Sequence, residues 1–363
     1  MKLNSNKLIP FLASLCLFLS AIEFAIPKPL PFMRLGLANM PIILALYILS
    51  WKEVFLLMFL KVFCQAILAG TLFSYIFVFS ISGSFSSLLI MLFMYTLVGR
   101  SAGRRTNLMS PIGISLCGAL ANTGAQIVMS RIMLFGSSVR YIAPILLISG
   151  IFTGTILGLI TALFMRQSNF FSKLKTDKGF VTHNVLLSEE NVSIKPSPIR
   201  KYVWTIVLLF IGLPVLIFQK NLLFLWTATL SFAIVVYFKK GKLRLFMPIV
   251  IFLSITILNL YPAYGKILFT LGSFNITQGA FEAGFRRSGV LLGMVFLSKA
   301  AIDSSVKLPG KVGLLFTQIL MYFEELTKKS SSNEENDFIK VIKKRSLSSI
   351  INLIDSKLLA VYG

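Results

Sequence analysis

Long apolar runs recur along this sequence and restrict the folds open to it. A bilayer crossing takes about 20 predominantly apolar residues. Six such runs precede a polar stretch, at 8–26, 36–50, 54–80, 84–99, 110–130 and 141–165. Three more lie at 202–218, 221–238 and 245–262, and a last crossing is expected within 266–301, starting after Arg287. The pattern predicts an all-α polytopic membrane protein with about ten transmembrane helices in two helical bundles.

The charges are few and unevenly placed. Charged residues make up 13% of the chain and hydrophobic residues 56%, whereas soluble domains carry about 25% charged residues. The net charge of +23 could indicate a nucleic-acid partner, but the positive residues are concentrated in alternate loops between the apolar runs. Segments on the side of the N-terminus hold 26 of them and segments on the other side hold six. Because cytoplasmic loops are enriched in Lys and Arg, we expect a multi-pass protein of the cytoplasmic (inner) membrane, with both termini cytoplasmic, lipid as a partner and no nucleic acid.

The polar stretch divides the chain. We expect four segments: a six-helix membrane domain at 1–166, a cytoplasmic linker at 167–201, a second membrane domain of about four helices with an amphipathic segment at 202–327, and a polar cytoplasmic tail at 328–363.

Polar residues inside membrane spans are costly and often mark a pathway or a ligand site. Glu23 lies 16 residues beyond Lys7, which is roughly 24 Å along a helix, so we place it near the outer surface. The next run returns inward, which places Arg34 and Asn39 at the same level. An outer pocket for a ligand and a simple interfacial anchor are both open readings of Glu23 and Arg34.

Two further polar residues fall on the fifth run. Asn122 and Gln126 are four apart and share one helix face, in the middle and outer part of the span. They could line the same outer pocket or hydrogen-bond between helices. Lys61 is expected about 10 Å into the third run from the inside, where it either contacts the ligand or extends its charge to the interface. The predicted substrate-binding residues are therefore Glu23, Arg34, Asn39, Lys61, Asn122 and Gln126.

The sequence is poorly equipped for catalysis. No Asp-Asp-x-x-Asp run is present to hold magnesium and a diphosphate, and no nucleotide-binding Gly-x-x-x-x-Gly-Lys motif occurs. His183 reads as a solvated residue of the linker. Cys16, Cys64 and Cys117 lie inside apolar runs and read as buried thiols rather than as a disulfide or metal ligands. We therefore predict no catalytic residue, no metal site and no cofactor, and a non-enzyme is favoured.

The stretch from Glu23 to Asn39 contains the most distinctive motif, Pro-Lys-Pro-Leu-Pro-Phe-Met-Arg-Leu-Gly-Leu-Ala-Asn. It resembles the signature of the Gx transporter family, which is also named heptaprenyl diphosphate synthase component I. The resemblance covers roughly 8–166. Further matching positions are Lys61, where the family usually has Arg, and then Gly70-Thr71-Leu72-Phe73-Ser74, Gly113-Ile114-Ser115, Gly118-Ala119, Gly150 and Gly154.

The resemblance implies a six-helix substrate-binding (S) component of an energy-coupling factor transporter, which binds a vitamin-like molecule or a flavin from outside. The sequence departs from the family at 122–126, where Asn-Thr-Gly-Ala-Gln replaces His-Asn-x-Gly-Gln, so the ligand or its protonation can differ. The segment from Ile276 to Glu325 is similar to the coupling (T) components of these transporters, but the Ala-Arg-Gly motif that contacts their ATPases is absent.

Three functions follow as hypotheses. The first is a membrane transport protein that binds a small organic molecule and depends on ATPase subunits supplied in trans. The second is a membrane subunit in prenyl diphosphate or quinone synthesis, as the alternative family name implies. The third is a non-transporting membrane component of a flavin-based electron-transfer system.

Overall fold

The computed structural model describes residues 5–25, 36–101, 110–176, 199–241, 246–260, 265–271, 274–302, 310–327 and residue 355. The described helices are α1 (Ser5–Ala25), α2 (Met40–Leu46), α3 (Trp51–Ala69), α4 (Tyr75–Ser101), α5 (Pro111–Ser130), α6 (Val139–Gln167), α7 (Asn169–Thr176), α8 (Ile199–Phe218), α9 (Leu222–Lys240), α10 (Phe246–Asn259), α11 (Gln278–Ala301) and α12 (Gly310–Thr327). A 3-10 turn (Leu37–Asn39) precedes α2, and a π-helical turn (Arg131–Phe135) and a second 3-10 turn (Gly136–Ser138) separate α5 from α6.

A short hairpin is the exception to the predicted all-α fold. Strands β1 (Ile267–Leu271) and β2 (Phe274–Thr277) pair antiparallel, with Leu271 opposite Phe274 and Ile267 opposite Thr277. Such a hairpin carries too little apolar surface to be stable alone. The hairpin leads directly into α11 and therefore serves as part of the connection between α10 and α11.

Apolar side chains cover the outside of the helices. Within the described residues, three stretches are long and apolar enough to cross a membrane: Tyr75–Leu97, Pro111–Gln167, which contains both α5 and α6, and Leu222–Lys239. Phe210 and Phe238 are each about 80% exposed. Exposed apolar area on this scale suits contact with lipid and not with water. The chain is a membrane protein built from α-helices.

The boundaries of the third and fourth predicted spans are wrong. The sequence suggested runs at 54–80 and 84–99, but α3 ends at Ala69 and α4 continues unbroken from Tyr75 to Ser101. Gly70 ends α3 because it adopts a left-handed conformation with φ of 64°, which only glycine adopts at little cost. Gly83, in contrast, lies inside α4 and does not interrupt it.

The second predicted span is shorter than expected. The 3-10 turn and α2 together cover only 37–46, which is roughly 15 Å of helix against a hydrocarbon core of about 30 Å. Gly36 precedes them with φ of 76° and therefore breaks any continuous helix. All seven residues of α2 are buried, so the segment belongs to the interior of the first half.

Two other expectations change in the second half. The last crossing was expected to start after Arg287, but α11 begins nine residues earlier, at Gln278. Arg286 and Arg287 can sit within it because they donate to the main-chain oxygens of Gln219 and Leu134. The predicted linker at 167–201 includes helical residues, since α7 and the start of α8 lie within it. The count of ten spans stays a prediction.

The main hydrophobic core lies in the first half and includes α12, a helix that follows the second half. Phe316, Ile319 and Leu326 of α12 are buried with residues of α1, α2 and α3. Phe11 of α1 contacts the ring of Tyr322 edge-on, with centroids 5.6 Å apart. The amphipathic helix predicted near 310–325 therefore packs against α1.

The start of α7 is capped by a distant carboxylate. Asp355 accepts hydrogen bonds from the backbone N–H groups of Asn169 (3.1 Å) and Phe170 (3.2 Å) and from the hydroxyl of Ser168. The first N–H groups of a helix have no partner within it, so a buried carboxylate here stabilises the helix start. Residues 168–171 and residue 355 are thus held together.

Candidate functional site

A polar pocket lies among α1, the 3-10 turn at Leu37–Asn39, α2, α3, α4, α5 and α6, with a volume of about 100 Å³. Five of the six predicted binding residues line it: Glu23, Asn39, Lys61, Asn122 and Gln126. The sixth, Arg34, and the linker residue His183 lie outside the described residues. The structure therefore brings together predicted residues from four separate segments, and their role in binding stays a prediction.

Lys61 and Asn39 form one wall of the pocket. Lys61 lies in the middle of α3, is only 5% exposed, and donates from Nζ to Oδ1 of Asn39 at the end of the 3-10 turn. It lies roughly 15 Å along α3 from the helix start, rather than the expected 10 Å, since α3 starts at Trp51 rather than at residue 54. Its charge is held beside Asn39.

Glu23 contributes a carboxylate to the same pocket. It lies in the last turn of α1 and is 5% exposed. A buried carboxylate and a buried ammonium in one pocket are expensive to desolvate, and such groups in a membrane protein are usually retained for function. The pocket can therefore accept hydrogen bonds at Glu23 and donate them at Lys61.

The amides of Asn122 and Gln126 face the pocket from α5. Gln126 Nε2 lies 3.3 Å from Oδ1 of Asn122. A side chain at Gly83 of α4 would collide with that same oxygen. The absence of a side chain at residue 83 is therefore what leaves room for Asn122 between the two helices.

Hydroxyl and amide groups that the sequence analysis missed complete the lining. Gln65 donates to the hydroxyl of Ser20 at 2.9 Å. Further hydroxyl residues in the lining are Ser80, Ser84, Ser87, Ser115, Thr123, Ser149 and Thr153. The spacing held a signal for some of them, because Gln65 follows Lys61 by four residues and the serines of α4 are spaced by four and three, which places each set on one helix face.

Close contact between α5 and α6 forms the back of the pocket. A Cβ at Gly154 would lie 2.6 Å from Cβ of Ala119, and one at Gly158 would lie 2.6 Å from the backbone of Ile112. Ser115 donates to the carbonyl of Gly154 at 2.8 Å. The glycines at intervals of four thus allow the close packing that small residues give in membrane helices.

The chemistry available in the pocket suits binding. In the described residues no three His, Cys, Asp or Glu side chains cluster in a way that could hold a metal ion. The three cysteines are free thiols, with Cys16 and Cys64 buried. One carboxylate, one ammonium, several amides and several hydroxyls are suited to hold a small polar group through both donors and acceptors.

A second cavity lies beside the polar pocket and has a volume of about 270 Å³. We call it the apolar cavity. Its walls come from α4, α5, the π-helical turn, α6 and α10, and the apolar members include Phe79, Leu134, Ile142, Ile251 and Ile255. Because α10 belongs to the second half of the chain, this cavity exists only where the two halves meet.

The first half of the chain matches a known protein family. Residues 12–164 match the family heptaprenyl diphosphate synthase component I. The predicted resemblance to this family, the Gx transporter family, is confirmed over that range. All the described residues of the polar pocket fall inside it, so the site lies within the part of the chain that the heptaprenyl diphosphate synthase component I family defines.

The second half matches a different family. Residues 200–304 match a domain of unknown function, DUF8519. Its predicted resemblance to coupling components stays a prediction. No curated protein and no solved structure matches the chain.

Proposed function

We propose that this protein is a membrane transport component that binds a small organic molecule at the polar pocket and passes it inward. One observation carries the proposal. Polar residues are rare in the apolar runs, and five of those predicted to bind substrate line a single pocket: Glu23, Asn39, Lys61, Asn122 and Gln126. Polar groups that converge on one cavity inside a membrane domain are the usual arrangement of a substrate site.

The lining bears on the choice of ligand. The described residues around the polar pocket include no aromatic side chain, whereas planar ring systems are commonly held by aromatic contacts. A volume of about 100 Å³ is also small beside the roughly 300–1,000 Å³ of typical ligand sites. A compact polar group, as in a small vitamin-like molecule, therefore suits the pocket better than the three-ring system of a flavin.

The proposed orientation follows the positive charges. With both termini in the cytoplasm of an inner-membrane protein, the loop at Lys220 lies outside and the turn at Gly241 lies inside. Single cysteines at these positions test this with a membrane-impermeant thiol reagent applied to whole cells. Labelling of Lys220→Cys and protection of Gly241→Cys are expected, and the opposite pattern would reverse the orientation.

Energy for uptake is proposed to come from ATPase subunits on separate chains. The experiment is to purify the protein from its own membranes, identify any released small molecule by mass spectrometry, and measure its uptake by cells with and without co-expressed ATPase subunits. Retention of a defined molecule and ATPase-dependent uptake support the proposal. Protein that retains a molecule but mediates no uptake with any ATPase would leave binding intact and contradict transport.

A role in prenyl diphosphate or quinone synthesis is a second candidate. The matched family's name and the apolar cavity beside the polar pocket favour it. It predicts that deletion of the gene shortens or abolishes quinone side chains and leaves uptake of the bound molecule unchanged. The reverse result would exclude it.

A further inference from the structure

The polar pocket and the apolar cavity are neighbours. Ser80 of α4, Gln126 of α5 and Leu146 of α6 line both the polar pocket and the apolar cavity. Gln126 also contacts Asn122 in the polar pocket, so its amide lies at the boundary between the two. A ligand that passes this boundary would contact polar groups on one side and hydrocarbon side chains on the other.

The sizes of the cavities are complementary. The polar pocket, at about 100 Å³, has room for a small group only. The apolar cavity, at about 270 Å³, has more than twice that space. Only the two together reach the size of common ligand sites, roughly 300–1,000 Å³.

The lining of the apolar cavity suits a hydrocarbon chain. Polar residues are a minority of its lining, and one of them, Ser254, donates to the carbonyl of Val250 at 2.7 Å. Ile255 and Leu134 are buried there. Such walls offer shape and dispersion contacts rather than hydrogen bonds.

We propose that the ligand is an amphiphile whose compact polar head occupies the polar pocket and whose hydrocarbon part occupies the apolar cavity. This inference rests on the proposed function and narrows its substrate class. It also gives the second half of the chain a role in binding, because Val250, Ile251 and Ile255 of α10 form one wall of the apolar cavity.

The head of the amphiphile determines specificity. A hydrocarbon chain gains little on leaving lipid for an apolar cavity, since both surroundings are apolar. The hydrogen bonds to Lys61, Glu23 and the amides must therefore select the ligand, and a polar-pocket variant should release head and chain together.

The test compares what wild-type protein and matched variants retain after purification from native membranes. Organic extracts are analysed by mass spectrometry and normalised to the bulk lipid of the same membranes. Ser254→Phe and, independently, Ile142→Phe fill the apolar cavity. Ile257→Phe is the control on α10, since Ile257 is 59% exposed. Lys61→Met removes the charge from the polar pocket.

We expect an amphiphile enriched over bulk lipid in the wild type and in Ile257→Phe, and at least tenfold less in each of the other three variants. Size-exclusion profiles and melting temperatures establish which variants are folded. If only one of the two cavity-filling variants folds, that variant is enough for the test.

Three results would overturn the inference. A bound molecule without a hydrocarbon part, retained by the cavity variants, leaves the proposed function standing and removes only this inference. Bulk phospholipid that is not enriched, and whose bound amount is unchanged by Lys61→Met, also removes only this inference. The cavity would then hold ordinary lipid from around the protein. No bound molecule in the wild type contradicts the proposed function as well.

Discussion

Arg287 of α11 donates from Nη1 to Oδ1 of Asn259 of α10 at 2.6 Å, and both side chains also donate to the carbonyl of Leu134 in the first half. Asn259 is buried. These bonds join two helices of the second half to the π-helical turn, which is itself a wall of the apolar cavity.

Removing Arg287 should therefore weaken the junction between the halves. A lost charged hydrogen bond that leaves a buried partner unsatisfied costs about 1.5–3 kcal/mol, so Arg287→Met should lower the melting temperature in detergent by roughly 3–8 °C. Arg286→Met is the control, because Arg286 donates at 3.0 Å to the carbonyl of Gln219, which lies within the second half. Equal effects of the two changes would argue against a special role for Arg287.

Lys61 should be required for ligand retention and Lys52 should not. Both lie on α3, but Lys61 is buried beside Asn39 whereas Lys52 is exposed at the helix start. Lys61→Met should reduce the molecule that copurifies with the protein at least tenfold, and Lys61→Arg should retain more of it, since Arg keeps the charge. Full retention by Lys61→Met, measured by mass spectrometry, would remove Lys61 from the site.

A side chain at Gly83 should displace the amide of Asn122. A Cβ there would collide with Oδ1 of Asn122, so Gly83→Ala should displace that amide and weaken ligand retention several-fold. Gly124→Ala is the matched control, because nothing lies within 4 Å of its Cβ position. The control should be as stable as wild type or up to about 1 kcal/mol more stable, since Ala favours helix over Gly. Loss of ligand in both variants would count against the contact with Asn122.

A side chain at Gly158 should disrupt the packing of α5 on α6. A Cβ at Gly158 would lie 2.6 Å from the backbone of Ile112, and backbone cannot rotate away. Gly158→Ala should cost about 1–3 kcal/mol from overpacking, seen as a lower melting temperature with or without ligand. An unchanged melting temperature would mean that the helices separate there at no cost.

Asp355 should hold the start of α7 in place. Asp355→Ala removes the acceptor for the N–H groups of Asn169 and Phe170, and loss of such a cap costs about 0.5–2 kcal/mol. Faster hydrogen exchange at 169–172, measured by mass spectrometry, is the expected result. Glu324→Ala, which removes an exposed carboxylate, should leave the exchange there unchanged.

The sequence predicted the charged and amide residues of the polar pocket better than the hydroxyl residues. Lys61 and Asn122 stand out because such groups are rare in apolar runs. Ser80 and Ser84 do not, because serine is common in membrane helices, where it often bonds the preceding turn of its own backbone. Helix spacing could have grouped these serines but could not have assigned them to a pocket.

The apolar cavity could not be predicted from the sequence at all. It depends on how α10 docks against the first half, which is decided by single contacts such as Arg287 to Leu134. Apolar periodicity carries little information on such docking, since most of the surface of these helices is apolar, including much of what faces outward. The predicted boundaries of α3 and α4 were wrong for a related reason. The sequence does not distinguish Gly70 from Gly83, but of the two only Gly70 adopts a positive φ.

The packing of α12 on α1 imposes an order on the assembly of this protein. Phe11 of α1 meets Tyr322 only after some 300 further residues have been made, which takes roughly 15–60 s at a synthesis rate of about 5–20 residues per second. During that time the apolar face of α1 that α12 will cover must be shielded by lipid or by a chaperone. Helix α1, which precedes the other described helices in the sequence, is therefore among the last of them to reach its final packing.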